Sequence, residues 1–223
     1  MPPLLAVFDL DGTLVDTAPD LIDSLNHTIA ARDLAPVTYA DLTHLVGHGA
    51  RAMIERSFAL RGNPLAEEDF PPMLERFIEH YRGGMPGKSL PYPGLAEALD
   101  RLSEAGILLA VCTNKMESLA RPLLEGLGLA DRFAAITGGD TFAMRKPDPA
   151  HLFGTVERAG GDAWRTVMIG DSLNDMKVAA NAGIASIAVP FGYSDVPVED
   201  LAPTVIIRHF DELTPDLVRS LVQ

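Results

Sequence analysis

An unbroken apolar run at residues 4–8, Leu-Leu-Ala-Val-Phe, lies near the start of the chain and ends in two carboxylates, Asp9 and Asp11. A short run that is apolar at every position predicts a strand buried on both faces. From residue 17 to residue 85 the period changes. Leu21, Ile22, Leu25 and Ile29 recur at helical spacing and predict a helix over 19–31. Pro36 ends that unit, and Thr38 can cap a short second helix over 39–46. A Gly47-His48-Gly49 loop leads into a helix over 50–60, which Arg61-Gly62-Asn63-Pro64 breaks. Phe70, Leu74, Phe77, Ile78 and Tyr81 then mark a further helical stripe. No segment between Thr17 and Met85 has strand periodicity, so this stretch reads as an all-helical insert.

Breaker clusters at 83–87 and 91–94 mark the return from the insert. Beyond them the two periods alternate. Helices over 95–105, 117–126, 150–159 and 175–182 interleave with strands over 107–112, near 133–137, and over 166–169 and 185–189. A last strand over 204–207 precedes a closing helix. Such alternation with short connections predicts an α/β fold: a Rossmann-like core whose parallel sheet is covered by helices on both faces. The expected core comprises residues 1–16 and 87–223, and a small helical cap, residues 17–86, is inserted after the first strand.

Ligands of such sheets bind beyond the carboxyl ends of the strands. Four polar clusters fall there: Asp9-x-Asp11, Thr113-Asn114-Lys115, Lys146-Pro147, and Gly170-Asp171-Ser172-Leu173-Asn174-Asp175. Each has a purely structural alternative. Asp11-Gly12 between apolar residues is also a hairpin signal. Thr113 or Asn114 can cap a helix. Asp148-Pro149 behind Lys146 fits a cap followed by a first-turn proline, and Ser172-x-x-Asp175 fits a capping box. Caps alone give no reason for paired acids, a hydroxyl, a lysine and a second acid pair to collect in complementary roles. Two acids on one strand end also repel, and a divalent cation or a shared proton would relieve them.

Charge narrows the partners. The 223 residues carry a formal net charge of -13, which disfavours nucleic acid and anionic membrane surfaces. Cys112, the one cysteine, excludes an intrachain disulfide and fits a reducing cytosol. No basic and then apolar leader opens the chain and no apolar run is long enough to span a membrane, so a cytoplasmic protein is expected.

The four clusters, in this order, resemble the four motifs of the haloacid-dehalogenase-like phosphatases with the small helical cap. Phe8-Asp9-Leu10-Asp11-Gly12-Thr13-Leu14 matches the first motif and the later clusters the remaining three. The resemblance implies that Asp9 is a nucleophile forming an aspartyl-phosphate, and Asp11 the acid and base for leaving group and water. It further implies Mg2+ held by Asp9, the Asp11 carbonyl and Asp171, with Asp175 bound directly or through water. Thr113 and Asn114 would hold phosphate oxygens, and Lys146 would neutralise the charge between Asp9 and phosphate. Asp16-Thr17-Ala18-Pro19-Asp20-Leu21, Leu45-Val46-Gly47-His48-Gly49-Ala50, Thr113-Asn114-Lys115, Gly138-Gly139-Asp140 and Phe191-Gly192-Tyr193 resemble the phosphoglycolate phosphatase branch.

That implies a small-molecule phosphate ester, 2-phosphoglycolate, as substrate. A phosphosugar mutase, a broader sugar-phosphate or nucleotide phosphatase, and a non-catalytic phosphate binder are the alternatives. The cap loop, with Gly47, His48, Gly49 and Arg51, is expected to reach over the site and touch the substrate's far end. His48 stands where the branch resemblance leads one to expect Asn. His27, His44, His80, His151 and His209 are expected on surfaces or helix faces, and Cys112 as a small buried hydrophobe.

Overall fold

The computed structural model describes residues 2–44 and 49–222. In chain order its first half holds β1 (Leu5–Phe8), β2 (Val15–Asp16), α1 (Ala18–Ile29), α2 (Ala50–Leu60), α3 (Phe70–Gly84), β3 (Leu90–Pro91), α4 (Leu95–Glu104) and β4 (Leu108–Cys112). The second half continues with α5 (Glu117–Gly126), β5 (Ala135–Thr137), α6 (Pro149–Arg158), β6 (Thr166–Gly170), α7 (Leu173–Ala182), β7 (Ala185–Ala188), β8 (Val205–Ile206) and α8 (Pro215–Leu221).

All four residues of β1 are buried, and they divide by parity. Ala6 and Phe8 pack with Leu99 of α4, Leu123 of α5 and Val218 of α8. Leu5 and Val7 pack with Leu152 of α6 and Val178 of α7. A strand covered on both faces lies inside a sheet, and β1 pairs with β4 on one side and β6 on the other. The order is β5-β4-β1-β6-β7-β8, with every pairing parallel. After β1 the core strands run outward to β5 on one side, then return to β6 and run outward to β8. The reversal beside β1 is the switch point at which such sheets bind ligands. Phe8 lies level with Val111 and Ile169, so the chain leaves β1, β4 and β6 at one common edge.

The helices between the first strand and β3 have an apolar cluster of their own. Leu21, Leu25 and Ile29 of α1, Ile54 and Phe58 of α2, and Phe77 of α3 fill it, closed below by Leu119 and Tyr193. The buried stripe of α3 runs Phe70, Met73, Phe77 and Tyr81, so Leu74 and Ile78 from the expected stripe are only partly buried at its margin. Gly83 and Gly84, read as breakers, are the last turn of that helix. The expected helix over 39–46 is a 3-10 segment at Tyr39–His44, and Leu45 and Val46 lie outside the described residues.

A two-residue ribbon of β2 and β3 escaped the sequence reading. Val15 pairs antiparallel with Pro91 and Asp16 with Leu90, where the chain leaves and re-enters the core. Proline is tolerated on so short an edge, which is why Pro91 read as a breaker. The hairpin alternative at Asp11-Gly12 does not form. The amides of Leu14 and Val15 donate to the Leu10 carbonyl at 3.0 and 3.1 Å, winding the chain into a tight coil. Among the described residues no helix is long and apolar enough to cross a membrane.

Phe77 is 1% exposed and stacks on Tyr81 with ring centroids 6.0 Å apart. Truncating a buried phenylalanine costs about 3–5 kcal/mol through lost transfer energy and the cavity left behind. Phe77→Ala should lower stability by that amount in urea unfolding. A change below about 1 kcal/mol would mean that the helical cluster is not packed as described.

Candidate active site

The common edge of the sheet gathers the carboxylates. The Asp9 amide donates to the Ile169 carbonyl at 2.9 Å and so extends β1 by one residue toward β6. Asp171 follows β6 directly, and Asp175 sits in the first turn of α7. One carboxylate oxygen from each of Asp9, Asp171 and Asp175 lies within 4.8 Å of the others, and all three residues are buried. Lys146, from the loop between β5 and α6, stands among them, its Nζ 2.9 Å from Asp9 Oδ1 and 2.6 Å from Asp175 Oδ1. The other oxygen of Asp175 accepts the Ser172 amide at 3.0 Å and its hydroxyl at 2.6 Å. The expected capping box therefore forms on one oxygen of Asp175, while the other is engaged by Lys146.

Burial and the neighbouring acids govern the titrations. Asp171 is pushed up to about 8, chiefly by loss of water and then by Asp175 and Asp9. Asp9 is raised to about 6 by burial, with the Lys146 charge working against the rise and Asp175 adding to it. Burial disfavours the Lys146 ammonium, but Asp175 and Asp9 outweigh it and hold the lysine firmly charged.

Asp171 is fixed by two donors. Thr13 Oγ1 reaches its Oδ1 at 2.7 Å and the Tyr193 amide its Oδ2 at 2.8 Å. Both donors come with a glycine beside them. A Cβ on Gly12, whose φ is +85°, would fall 2.5 Å from Asp171 Oδ2, and one on Gly192 would fall 2.2 Å from it. The backbone approaches the carboxylate as closely as it does only because both side chains are absent.

The second cluster is held in the same way. A Cβ on Gly138 would lie 2.1 Å from the Glu117 amide and one on Gly139 2.6 Å from the Asn114 carbonyl, and Asp140 Oδ1 accepts the Glu117 N–H at 2.7 Å. These contacts press Thr113, Asn114 and Lys115 against the strand ends. Thr113 Oγ1 accepts the Lys115 amide at 3.2 Å, which leaves its hydroxyl proton to be given to a ligand. Asn114 Nδ2 donates to the Lys146 carbonyl at 3.1 Å. Asp11 Oδ1 accepts from Thr17 Oγ1 at 2.7 Å and from Lys115 Nζ at 2.9 Å.

These groups floor a cavity between the sheet edge and the inserted helices. Asp9, Asp11, Thr113, Lys115 and Lys146 lie below; Leu21, Met53, Phe77 and Tyr81 lie above. Of the expected cap contacts, Gly49 lines the cavity, and Gly47 and His48 lie outside the described residues. Arg51 does not reach it. Its Nε donates to Glu55 at 2.8 Å, its guanidinium also pairs with Glu67, and it lies over the Phe70 ring at 4.2 Å. At the second position of α2 the side chain follows the outer face and finds acids there.

His151 also departs from expectation. It is fully buried, and its Nδ1 accepts the Lys146 amide at 3.3 Å. Burial, then the Lys146 charge, lower its pKa to about 4, so it is neutral. Cys112 is buried with its thiol pushed up to about 11 by desolvation, an inert hydrophobe as expected. Lys115, Tyr193 and His151 were not assigned roles by sequence reasoning. Lys115 and Tyr193 stood inside motifs that drew attention, whereas His151 carried no signal beyond its place in a first helical turn.

The chain matches the family model described as haloacid dehalogenase-like hydrolase over residues 6–189. It is 65% identical over 218 residues to a phosphoglycolate phosphatase of Agrobacterium fabrum, covering 98% of this chain and 94% of that one. Identity to a phosphoglycolate phosphatase of Mesorhizobium japonicum is 52% over 219 residues, covering 98% and 96%. The fold superposes with a TM-score of 0.89 on a predicted phosphoglycolate phosphatase from Haemophilus somnus 129PT, 29% identical over 95% of this chain and 96% of that one. It superposes at 0.81 on CbbY from Rhodobacter sphaeroides in complex with phosphate, 26% identical over 96% of each chain.

Raised acid pKa values have a consequence for the metal-free protein. Between the ordinary carboxylate range and about 8, Asp171 binds a proton more tightly folded than unfolded, and Asp9 does so up to about 6. The folded state then holds more protons, so stability falls as pH rises. Melting temperatures in chelator should decline from about pH 5 to about pH 8, and Asp171→Asn should flatten that decline. An equally steep decline in the variant would remove Asp171 as its source.

Proposed function

The chain belongs to the haloacid dehalogenase-like hydrolase family, and on that premise we propose that it is a cytoplasmic phosphatase hydrolysing 2-phosphoglycolate. Its near full-length identity to the Agrobacterium enzyme carries this reading. Residues 1–16 and 87–223 would be the catalytic core and residues 17–86 the helical cap.

In this reading an Asp9 carboxylate oxygen attacks phosphorus in line with the departing ester oxygen. The bond to that oxygen breaks and an aspartyl-phosphate forms. Asp11 gives the leaving oxygen a proton, then takes one from the water that hydrolyses the intermediate. Thr113 and the Asn114 backbone orient phosphate oxygens, and Lys146 offsets the repulsion between phosphate and Asp9. His151 accepts the Lys146 amide hydrogen and, being neutral, adds no competing charge.

The acidic cluster fits a hard divalent cation. Its donors are all oxygen, and Asp9, Asp171 and Asp175, all buried, each offer a carboxylate oxygen within 4.8 Å of the others. Magnesium would be held by Asp9, Asp171 and the Asp11 carbonyl. Asp175, with both oxygens already engaged by Lys146 and Ser172, would support it from behind or through water. Bound there, the ion would supply positive charge to the phosphoryl group and lower the cost of collecting these acids.

A phosphate-release screen should place 2-phosphoglycolate well above hexose phosphates and nucleotides, and equal rates would overturn the substrate assignment. Asp9→Asn should remove nearly all turnover while the fold persists, and trapping of the phosphoenzyme should label Asp9 in the native protein. Label on another carboxylate would defeat the nucleophile assignment. Asp11→Asn should lower kcat/KM for an alkyl phosphate by roughly 10²–10⁴, the usual worth of acid catalysis. It should lower it much less for p-nitrophenyl phosphate, whose anion departs unaided. Equal losses would leave Asp11 a structural role only.

A further inference from the structure

A phosphate ester that carries a carboxylate must place a second negative charge in a cavity already crowded with acids. Lys146 is committed to Asp9 and Asp175. Lys115 is the other cation among the described residues lining the cavity. Its side chain is 6% exposed, with Nζ 2.9 Å from Asp11 Oδ1 and 4.4 Å from the centroid of the Tyr81 ring. An ammonium has three N–H donors, and the contact with Asp11 uses one.

Tyr81 stands beside Lys115 in the same cavity. It is 2% exposed and lines the cavity from α3, and its hydroxyl is buried without a well-formed hydrogen bond, the Lys115 ammonium being its polar neighbour. Buried hydroxyls are seldom left poorly paired, and one that faces a cavity is open to a polar group of whatever enters it. Burial raises its pKa, with the Lys115 charge opposing, so at neutral pH it remains a donor.

Resting on the phosphoglycolate reading, we infer that Lys115 and Tyr81 form the subsite that receives the substrate's carboxylate and sets specificity. The ester oxygen must lie within a hydrogen bond of Asp11, and Lys115 stands one hydrogen bond from that same carboxylate. A carboxylate one methylene beyond the ester oxygen therefore falls beside Nζ. A longer or hydroxyl-rich substituent would instead meet Leu21, Met53 and Phe77, which offer it no partner. Arg51 is held by Glu55 and Glu67 and plays no part.

The test is a ratio: kcat/KM for 2-phosphoglycolate over kcat/KM for ethyl phosphate, which has the same length without the charge. A ratio is insensitive to the fraction of folded enzyme and to any shared loss through Asp11. Lys115→Met should lower it roughly 10- to 100-fold, the worth of a charge-assisted hydrogen bond. Tyr81→Phe should lower it several-fold. Calorimetry with the phosphonate pair 3-phosphonopropionate and propylphosphonate should show the same collapse of preference in binding alone. A native preference that survives in Lys115→Met, or that is lost instead on substituting Arg145, whose guanidinium lies 3.3 Å from where a Cβ on cavity-lining Gly49 would fall, overturns the subsite and leaves the substrate reading standing. No preference in the native enzyme overturns the substrate reading and this subsite with it.

Discussion

The structure depends on holding four carboxylates, those of Asp9, Asp11, Asp171 and Asp175, at one edge of a buried sheet. Left to themselves these groups repel, and three of them are buried. Two lysines offset the charge, each between particular acids: Lys146 with Asp9 and Asp175, Lys115 with Asp11. The balance is incomplete, since Asp171 and Asp9 still hold a proton more tightly than free carboxylates do. A protein that spends stability on such a cluster has a use for a cation and an anion there, and catalysis of phosphoryl transfer needs both.

Backbone shape makes the cluster attainable. The acids and the residues that answer them come from different strand ends, and they meet because the loops carry glycine where a side chain would intrude. Gly12 and Gly192 let two loops close on Asp171. Gly138 and Gly139 let another loop close on the second motif, and Gly170 faces Asp175, where a Cβ would lie 2.3 Å from its own. The motif glycines are therefore part of the electrostatics, because they set how near charge and dipole can approach.

This explains how much the sequence disclosed. The run at 4–8 could only be an interior strand, and acids directly after strands have little choice but to gather at the sheet's ligand-binding edge. The helical stripes of the insert were equally direct, apart from the one-residue shift that buries Met73 in place of Leu74. What stayed hidden depended on side-chain contacts that no periodicity announces. Lys115 pairs with a residue 104 positions away, and the role of His151 follows from a lysine on the preceding loop. Arg51 shows the opposite error. Its place in the chain beside a cap loop suggested the site, but its direction off the helix was decided by Glu55 and Glu67.

Tyr193 joins the charged cluster to the inserted helices. Its amide holds Asp171 Oδ2, while its hydroxyl donates to Asp16 Oδ1 and accepts the Ala18 amide at 3.0 Å. Asp16 lies in the β2 ribbon and Ala18 begins α1, so one residue touches both the charged cluster and the point where the chain leaves the core. Its ring meanwhile belongs to the apolar cluster of the inserted helices. The roof bearing Tyr81 and the floor bearing Asp171 thus share a rigid aromatic support. A displacement of α1 must strain the bonds of the Tyr193 hydroxyl, and Tyr193 is the residue whose amide holds Asp171, which ties the placement of the inserted helices to the geometry of the acids beneath them.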